Sequence, residues 1–373
     1  MKEINHEVIL RKKKHSISSV NKFDTTEIIA LYRFMMRIRR TQEEIAREYH
    51  VEDQIRCPVH FCTGQEAVPA ALSLLIQKED FLFGPHRSHG YFYAKGGSMN
   101  ELFAEIYGRQ TGANAGLSGS QEISLSGINF YSGAILSGLL SIAVGVGLGF
   151  QLKGLPQVAV VGLGDGATDE GIFWEAVSYA QLCKLPVVFI CENNRYSTYS
   201  PQLKRQVADN IHERVASFGL RTEAIFGNDV MLVMSTIAKA MKFARAGKGP
   251  VFIESYTYRW MGHVGPEDDD YVNYRSQKEL SFWKKHCPIL LLEKQMLKEG
   301  ILTLKLKEQM LESISKEIFE AFKFAKNSLI PMDTDWHALN YCDESPLADK
   351  LLKDTEKCDK FNHDQTETMP GPY

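Results

Sequence analysis

The stretch that decides the fold covers residues 161–197 and reads VGLGDGATDEGIFWEAVSYAQLCKLPVVFICENNRYS. A valine-rich apolar run leads into a glycine turn, a helical pattern follows, and a second apolar run ends in the polar residues ENNRYS. Short apolar runs without alternation are typical of strands that are buried on both faces. The stretch therefore predicts a strand–helix–strand unit with parallel strands and a right-handed crossover.

The sequence on either side continues this alternation of strands and helices. Apolar runs predict strands at 157–163, 186–191 and 251–258. Helical patterns cover 26–50, 64–77, 170–183 and most of 276–325. Glycine- and serine-rich segments predict loops at 84–98 and 108–133. The predicted fold class is α/β, a parallel sheet with helices on both faces and helical extensions.

The domain organisation follows from the length and from the ends of the sequence. A chain of 373 residues allows one large domain or two ordinary ones. The single strand–helix pattern favours one α/β domain over 26–345. We expect residues 1–25 to form a flexible leader and residues 346–373 a polar tail, because neither segment has a sustained apolar pattern.

Charge and hydropathy exclude two classes of partner. The net charge of −3 argues against bulk electrostatic binding to nucleic acid. The most apolar segment, 135–150, is shorter than the roughly 18 residues that a membrane span needs. Gly145 and Gly149 lie on one face of that predicted helix, so we expect it to be buried and closely packed against a neighbouring element or another subunit.

The seven cysteines indicate a reducing environment. They include no CxxC pair, and no secretory signal precedes them. We expect reduced thiols and a cytoplasmic location.

Asp165 and Asn194 each follow a predicted strand and are separated by about one strand–helix–strand unit. Parallel strands end at the same edge of a sheet, where open α/β sheets bind ligands. Carboxylate and amide oxygens suit Mg²⁺, which keeps other coordination positions for water and phosphate. Gly164 and Gly166 would let a phosphate approach the backbone, and the next helix would point its N-terminus there. These residues predict a metal-bridged diphosphate site.

Two other interpretations of the glycine turn stay open at this point. Residues 162–167 also satisfy the GxGxxG/A pattern of dinucleotide-binding folds. That pattern would aim the Asp165 carboxylate at a pyrophosphate without an intervening cation, and it gives Asn194 no role. A purely structural glycine turn is the other alternative.

The stretch GDGATDEG followed by LPVVFICENNRY resembles the signature of thiamine diphosphate-dependent enzymes, a GDG followed one such unit later by NN. More closely, residues 26–330 are similar to the alpha subunit of the first component of 2-oxo acid dehydrogenase complexes. The resemblance implies that Mg²⁺ is bound by Asp165, the Asn194 side chain and the backbone carbonyl of Tyr196. It also implies that Gly164, Gly166 and Ala167 line the diphosphate.

Other loops carry further motifs of that family. The resemblance implies that Arg87 contacts the diphosphate and that Ala134 and Leu136 lie under the thiazolium ring. His86 stands at a position where the family often has tyrosine. His263, in RWMGH, matches a histidine that handles the acyl intermediate, and an imidazole with a pKa of about 6.5 suits acid–base catalysis. His60 and His89 lie in matching loops.

The resemblance also implies partners. The glutamate that activates the cofactor lies on a beta subunit in this family, so we expect this chain to be inactive alone. The implied assembly contains two alpha and two beta chains, acts on a small 2-oxo acid and passes the acyl group to the lipoyl disulfide of an acyltransferase.

Four departures from the family pattern lie near the expected substrate end: Leu117, Glu122, Met261 and Val264. Glu122 replaces a histidine, and Val264 replaces a serine that is phosphorylated in mitochondrial relatives. Two alternatives therefore remain open. One is an acyloin-forming enzyme that transfers a two-carbon unit to an aldehyde, ketone or sugar without a lipoyl partner. The other is a non-catalytic regulatory subunit.

Overall fold

A seven-stranded sheet forms the centre of the computed structural model, which describes residues 20, 23–55, 57–332 and 353. All of its neighbouring strands are parallel except one short antiparallel pair. The strands are β1 (Phe81–Gly84), β2 (Ser124–Leu125), β3 (Phe130–Ser132), β4 (Ala159–Gly164), β5 (Val187–Asn193), β8 (Arg221–Phe226) and β9 (Val251–Tyr256). Their order across the sheet is β2-β3-β1-β4-β5-β9-β8. A separate hairpin joins β6 (Tyr196–Ser197) to β7 (Ser200–Pro201).

Helices cover both faces of this sheet. They are α1 (Thr25–Glu48), α2 (Ala67–Leu75), α3 (His89–Ala94), α4 (Met99–Ile106), α5 (Gly138–Leu152), α6 (Gly171–Leu182), α7 (Gln202–Arg205), α8 (Ile211–Ala216), α9 (Val230–Arg245), α10 (Gln277–Lys285), α11 (Pro288–Lys298) and α12 (Leu304–Asn327).

Alternate side chains along the strands pack into two separate hydrophobic cores, one on each face of the sheet. Val160 and Val188 belong to the core that includes α1, α2, α9 and α12. Val161 and Phe189 point the other way, into the core that includes α5 and α6. Strands buried on both faces explain the apolar runs without alternation. The predicted fold class is confirmed.

Helix α5 is half-buried within this chain, so the close packing expected against a neighbouring element or another subunit is seen here on one face only. Gly147 is the glycine that permits close packing, because a Cβ there would lie 2.7 Å from Val187 Cγ2. A Cβ on Gly145 or Gly149 would meet no atom within 4 Å. Ile142 on the same open face is 53% exposed. Among the described helices, none combines the length and apolar character of a membrane span.

The two segments expected to be loops contain short regular elements. All six residues of α3 are buried, and a Cβ on Gly90 would lie 2.8 Å from Pro69 Cγ, so α3 packs closely on α2. Strand β3 pairs with β1 in parallel. Three-residue strands are too short to show a hydrophobic period.

Only one of the two predicted domain boundaries lies within the described residues. Helix α1 begins at Thr25, next to the predicted end of the leader. The described chain as far as Ile330 forms one compact unit. The boundary at 345 lies outside the described residues, as do residues 1–19 of the leader and the tail apart from residue 353.

Candidate functional site

A cleft opens at the carboxyl edge of the sheet, where the loops after β1, β3, β4, β5 and β9 converge. The cleft brings together all but one of the predicted cofactor residues: His86, Arg87, Leu136, Gly164, Asp165, Gly166, Ala167, Asn194, Tyr196 and His263. The exception is Ala134, which does not line the cleft although its neighbours Gly133 and Ile135 do.

Asp165 begins a tight turn of 3-10 helix, Asp165–Asp169, directly after β4. The residue is 1% exposed, and its Oδ2 atom pairs with the Arg205 guanidinium. Its Oδ1 atom is buried and has no hydrogen-bond partner. Burial raises the pKa of Asp165, and Arg205 opposes that rise. An orphaned carboxylate oxygen in a cleft fits a hard cation, because leaving such an atom without a partner is costly.

Asn194 lies in a turn that two side-chain hydrogen bonds shape. Asn193 Oδ1 accepts from the Arg195 amide at 3.1 Å, and Asn194 Oδ1 accepts from the Tyr196 amide at 3.2 Å. Between them, Arg195 has a φ of +75°, which non-glycine residues rarely adopt. The amide nitrogen of Asn194 faces Gln65 Oε1 at 3.4 Å. The Asn194 oxygen therefore keeps a lone pair for a cation.

Two glycines of the turn have different roles. A Cβ on Gly164 would meet nothing within 4 Å, so the backbone there faces open space that a phosphate can occupy. A Cβ on Gly166 would lie 2.6 Å from Ser197 Oγ, so this glycine lets the two loops of the site touch.

Helix α6 begins at Gly171, after the turn has ended. The glycine pattern therefore opens into a short 3-10 helix and not directly into the α-helix that the dinucleotide motif requires. The helix begins one residue after the start at 170 that the sequence predicts.

Arg87 ties two loops of the cleft together. Its Nη1 donates to the Phe61 carbonyl at 2.8 Å, and its Nη2 donates to the His263 carbonyl at 3.0 Å. Burial and the nearby Arg259 lower the pKa of Arg87 to about 9, which leaves the guanidinium charged at neutral pH. A planar cation held in this way suits a phosphate.

His263 lies in a cluster with two other histidines. Its ring centroid is 4.9 Å from that of His60, which is 5.7 Å from that of His86. Burial and the charge of Arg87 lower the pKa of His263 to about 3 and that of His60 to about 2. Both rings are therefore neutral at pH 7. The two pKa values lie below the ordinary value of about 6.5 that the sequence suggested for His263. A bound polyanion would raise both values.

The acidic loop that follows His263 supports its backbone. The His263 amide donates to Asp269 Oδ2 at 2.6 Å, and the Gly262 amide donates to the Glu267 carbonyl at 2.7 Å. His89, in contrast, is fully buried between Gln42 Nε2 at 3.1 Å and Ser120 Oγ at 2.9 Å. His89 therefore links helix α1 to the loop that contains Ser120 and does not line the cleft.

Sequence reasoning missed Gln65 and Glu192, which line the cleft. Glu192 accepts a hydrogen bond from the Tyr91 hydroxyl at 2.8 Å, and burial raises the pKa of Glu192 to about 7. An acidic residue at the end of an apolar strand was a usable signal for Glu192. Gln65 carried no comparable signal, because its contact with Asn194 joins residues far apart in the chain.

Comparisons with known proteins identify a family for this chain. Residues 33–333 match the model of the family described as "Dehydrogenase E1 component". The chain is 33% identical over 320 residues to the alpha subunit of the pyruvate dehydrogenase E1 component, somatic form, mitochondrial, of Sus scrofa, covering 85% of this chain and 80% of the relative. It is 31% identical over 309 residues to the corresponding alpha subunit of Rhizobium meliloti (strain 1021), covering 82% of this chain and 86% of the relative. The chain therefore belongs to the dehydrogenase E1 component family, as an alpha component of the thiamine diphosphate-dependent 2-oxo acid dehydrogenases.

Proposed function

We propose that the cleft binds the diphosphate of thiamine diphosphate through Mg²⁺, held by Asp165, the Asn194 side chain and the Tyr196 carbonyl. The observation that carries this proposal is the buried, unpartnered Oδ1 of Asp165. It lies in a cleft that Asn194 and Tyr196 also line. Carboxylate, amide and carbonyl oxygens are the ligands that Mg²⁺ prefers.

The other residues of the cleft bind and orient the cofactor in this proposal. Arg87 neutralises the diphosphate, and the open backbone at Gly164 admits it. Leu136 would support the cofactor as an apolar wedge, and neutral His263 would offer a ring nitrogen to the reacting atoms. When bound, thiamine diphosphate supplies the electron sink for decarboxylation of a 2-oxo acid.

Alpha components of this family work with a beta subunit. The beta chain would cover the open side of the cleft, because Ile135 and Leu136 line the cleft yet are 75% and 40% exposed. This exposed border continues along α5 through Ile142 to Leu152, which is 78% exposed. The proposed assembly has two alpha and two beta chains.

The proposed substrate is a small 2-oxo acid, and the proposed acceptor is the lipoyl group of an acyltransferase. The relatives named above are pyruvate dehydrogenase components, which supports a small substrate. A screen of 2-oxo acids with the reconstituted complex and an artificial electron acceptor tests the substrate. Product formed from an added aldehyde or sugar, with no transfer to lipoamide, would instead identify the acyloin-forming alternative.

The proposed compartment is the cytoplasm. Cys57, Cys62, Cys183, Cys191 and Cys287, the cysteines in the described part of the chain, are all free thiols. Free thiols are the usual state in a reducing compartment.

Calorimetric titration of the alpha–beta complex with thiamine diphosphate and Mg²⁺ tests the cofactor site. Asp165→Ala should abolish Mg²⁺-dependent binding, because it removes the only carboxylate of the proposed ligand set. Normal binding by this variant would refute the site. Failure of the wild-type complex to bind the cofactor would favour the regulatory-subunit alternative.

A further inference from the structure

Two buried glutamines lie between the turns that hold Asp165 and Asn194. Gln202 begins α7, and Gln206 follows that helix directly. They are 0% and 7% exposed. A buried amide needs partners for both its oxygen and its nitrogen, so the contacts of these two side chains carry structural information.

Gln202 holds the turn that contains Asn194. Its Oε1 accepts from Asn193 Nδ2 at 3.2 Å and from Arg195 Nη1 at 3.1 Å. Arg195 is the residue with the positive φ, so this contact helps to keep the turn in its uncommon conformation. The backbone adds a second link, because the Gln202 amide donates to the Arg195 carbonyl at 2.8 Å.

Gln206 holds the turn that begins at Asp165. Its Nε2 donates to Thr168 Oγ1 at 2.9 Å and to Asp169 Oδ1 at 2.7 Å, and lies 3.5 Å from the Asp165 carbonyl. Its Oε1 accepts from Arg214 Nη2 at 2.8 Å.

The two amides also contact each other. Gln202 Nε2 donates to Gln206 Oε1 at 3.1 Å. The orientation of each amide is set by its other partners, since the Gln202 oxygen faces two donors and the Gln206 nitrogen faces acceptors. The remaining nitrogen of Gln202 and the oxygen of Gln206 are thereby left to pair. A continuous path of side-chain hydrogen bonds therefore joins one turn to the other.

We propose that the Gln202–Gln206 amide pair is a positioning bridge that fixes the spacing between the Asp165 turn and the Asn194 turn. The proposal rests on the Mg²⁺ site proposed above. Mg²⁺ demands near-ideal octahedral geometry at short distances, so its affinity depends on how accurately ligands from two loops are spaced. Replacing a residue that orients a metal ligand typically lowers the affinity for the metal by about 10- to 100-fold.

The test is a double-mutant cycle on the reconstituted alpha–beta complex. Calorimetry with thiamine diphosphate at a series of MgCl₂ concentrations gives the Mg²⁺ concentration for half-maximal cofactor binding. The variants are Gln202→Met, Gln206→Met and the double variant, because methionine keeps the volume and removes the hydrogen bonds. Gln181→Met is the matched control, since Gln181 donates to the Gly219 carbonyl at 2.9 Å on the surface, away from the cleft.

We expect each single variant to raise the half-maximal Mg²⁺ concentration by about 10-fold. In the double variant, the increase in the half-maximal Mg²⁺ concentration should be well below the product of the two single increases, because the bridge can be broken only once. Excess Mg²⁺ should restore full cofactor binding in both single variants, which a misfolded chain would not show.

Three results would overturn the bridge: single variants with wild-type Mg²⁺ dependence, effects that multiply independently, or losses that excess Mg²⁺ does not reverse. Asp165→Asn separates this outcome from failure of the Mg²⁺ site. If Asp165→Asn loses Mg²⁺-dependent binding while the glutamine variants keep it, only the bridge is wrong. If Asp165→Asn binds as the wild type does, the metal site itself is wrong.

Discussion

At the scale of single residues, His263 makes the stability of the folded chain depend on pH. Its pKa is lowered to about 3 in the folded chain by burial first and Arg87 second, whereas an unfolded histidine titrates at about 6.5. Below about pH 6.5 the unfolded chain takes up a proton that folded His263 does not bind, so stability falls as the pH falls.

The predicted consequence is a weaker acid dependence in His263→Gln. Urea unfolding of the chain without cofactor, measured at intervals between pH 7 and pH 5, should show a shallower loss of stability in the variant than in the wild type. The same slope in both proteins would mean that His263 is protonated as readily when folded as when unfolded.

Gly166 gives a second prediction at this scale. A Cβ at this position would lie 2.6 Å from Ser197 Oγ and 2.8 Å from Ser197 Cβ. Gly166→Ala should therefore weaken cofactor binding by at least about 10-fold, by pushing apart the two loops that hold the proposed ligands. Ser197→Gly removes both clashing atoms, so Gly166→Ala/Ser197→Gly should recover most of the affinity. Calorimetry that shows no recovery would contradict this steric account.

The sequence predicted part of the site for a clear reason. Asp165 and Asn194 could be found because each follows an apolar strand, and parallel strands end at one edge. The glutamines at 202 and 206 could not, because a glutamine in a polar segment looks the same whether it is exposed or buried. The low pKa of His263 was equally hidden, since it depends first on burial and then on Arg87, which comes from a different loop.

At the scale of elements, helix α4 organises the glycine-rich loop that follows it. Glu105 is 1% exposed, and its carboxylate accepts hydrogen bonds from the amides of Asn114, Gly116, Ser118 and Gly119 and from the Ser118 hydroxyl at 2.7–3.1 Å. The loop continues to Ser120, whose hydroxyl contacts His89 at 2.9 Å. One carboxylate therefore holds a segment that packs against His89.

Glu105→Gln should destabilise the chain by about 3 kcal/mol, because the new amide group would face backbone donors. Urea unfolding gives the change in stability, and hydrogen exchange should accelerate over residues 112–120. Glu101→Gln on the same helix is the control, since Glu101 is the glutamate of a capping box, where glutamine also serves. Equal stability of the two variants would contradict the role given to Glu105.

The elements that the sequence did not reveal are those stabilised by distant partners. The central strands at 159–164 and 187–193 were predicted within about two residues, because their apolar runs are long. Strand β3 has three residues and exists because β1 pairs with it. Its stability comes from pairing in the sheet, so no local sequence pattern predicts this strand.

At the scale of the whole molecule, the open face of α5 should decide whether the chain assembles. Ile142 is exposed in this chain, so Ile142→Asp should leave its stability nearly unchanged. If the beta chain covers this face, the variant should fail to form the complex, because a buried unpaired carboxylate is costly. Sedimentation of the mixed subunits measures assembly. Leu297→Asp, at an exposed site on α11, is the control, and equal assembly of both variants would place the interface elsewhere.

The exposed border of the cleft has a thermodynamic consequence. Ile135 and Leu136 touch the space for the cofactor and also face solvent, so a subunit that covers them would share a boundary with the cofactor. Coupling of this kind is reciprocal, and each partner must raise the affinity of the other by the same factor. Dilution of the complex should therefore release thiamine diphosphate, and excess thiamine diphosphate should hold the subunits together at concentrations at which the bare chains separate.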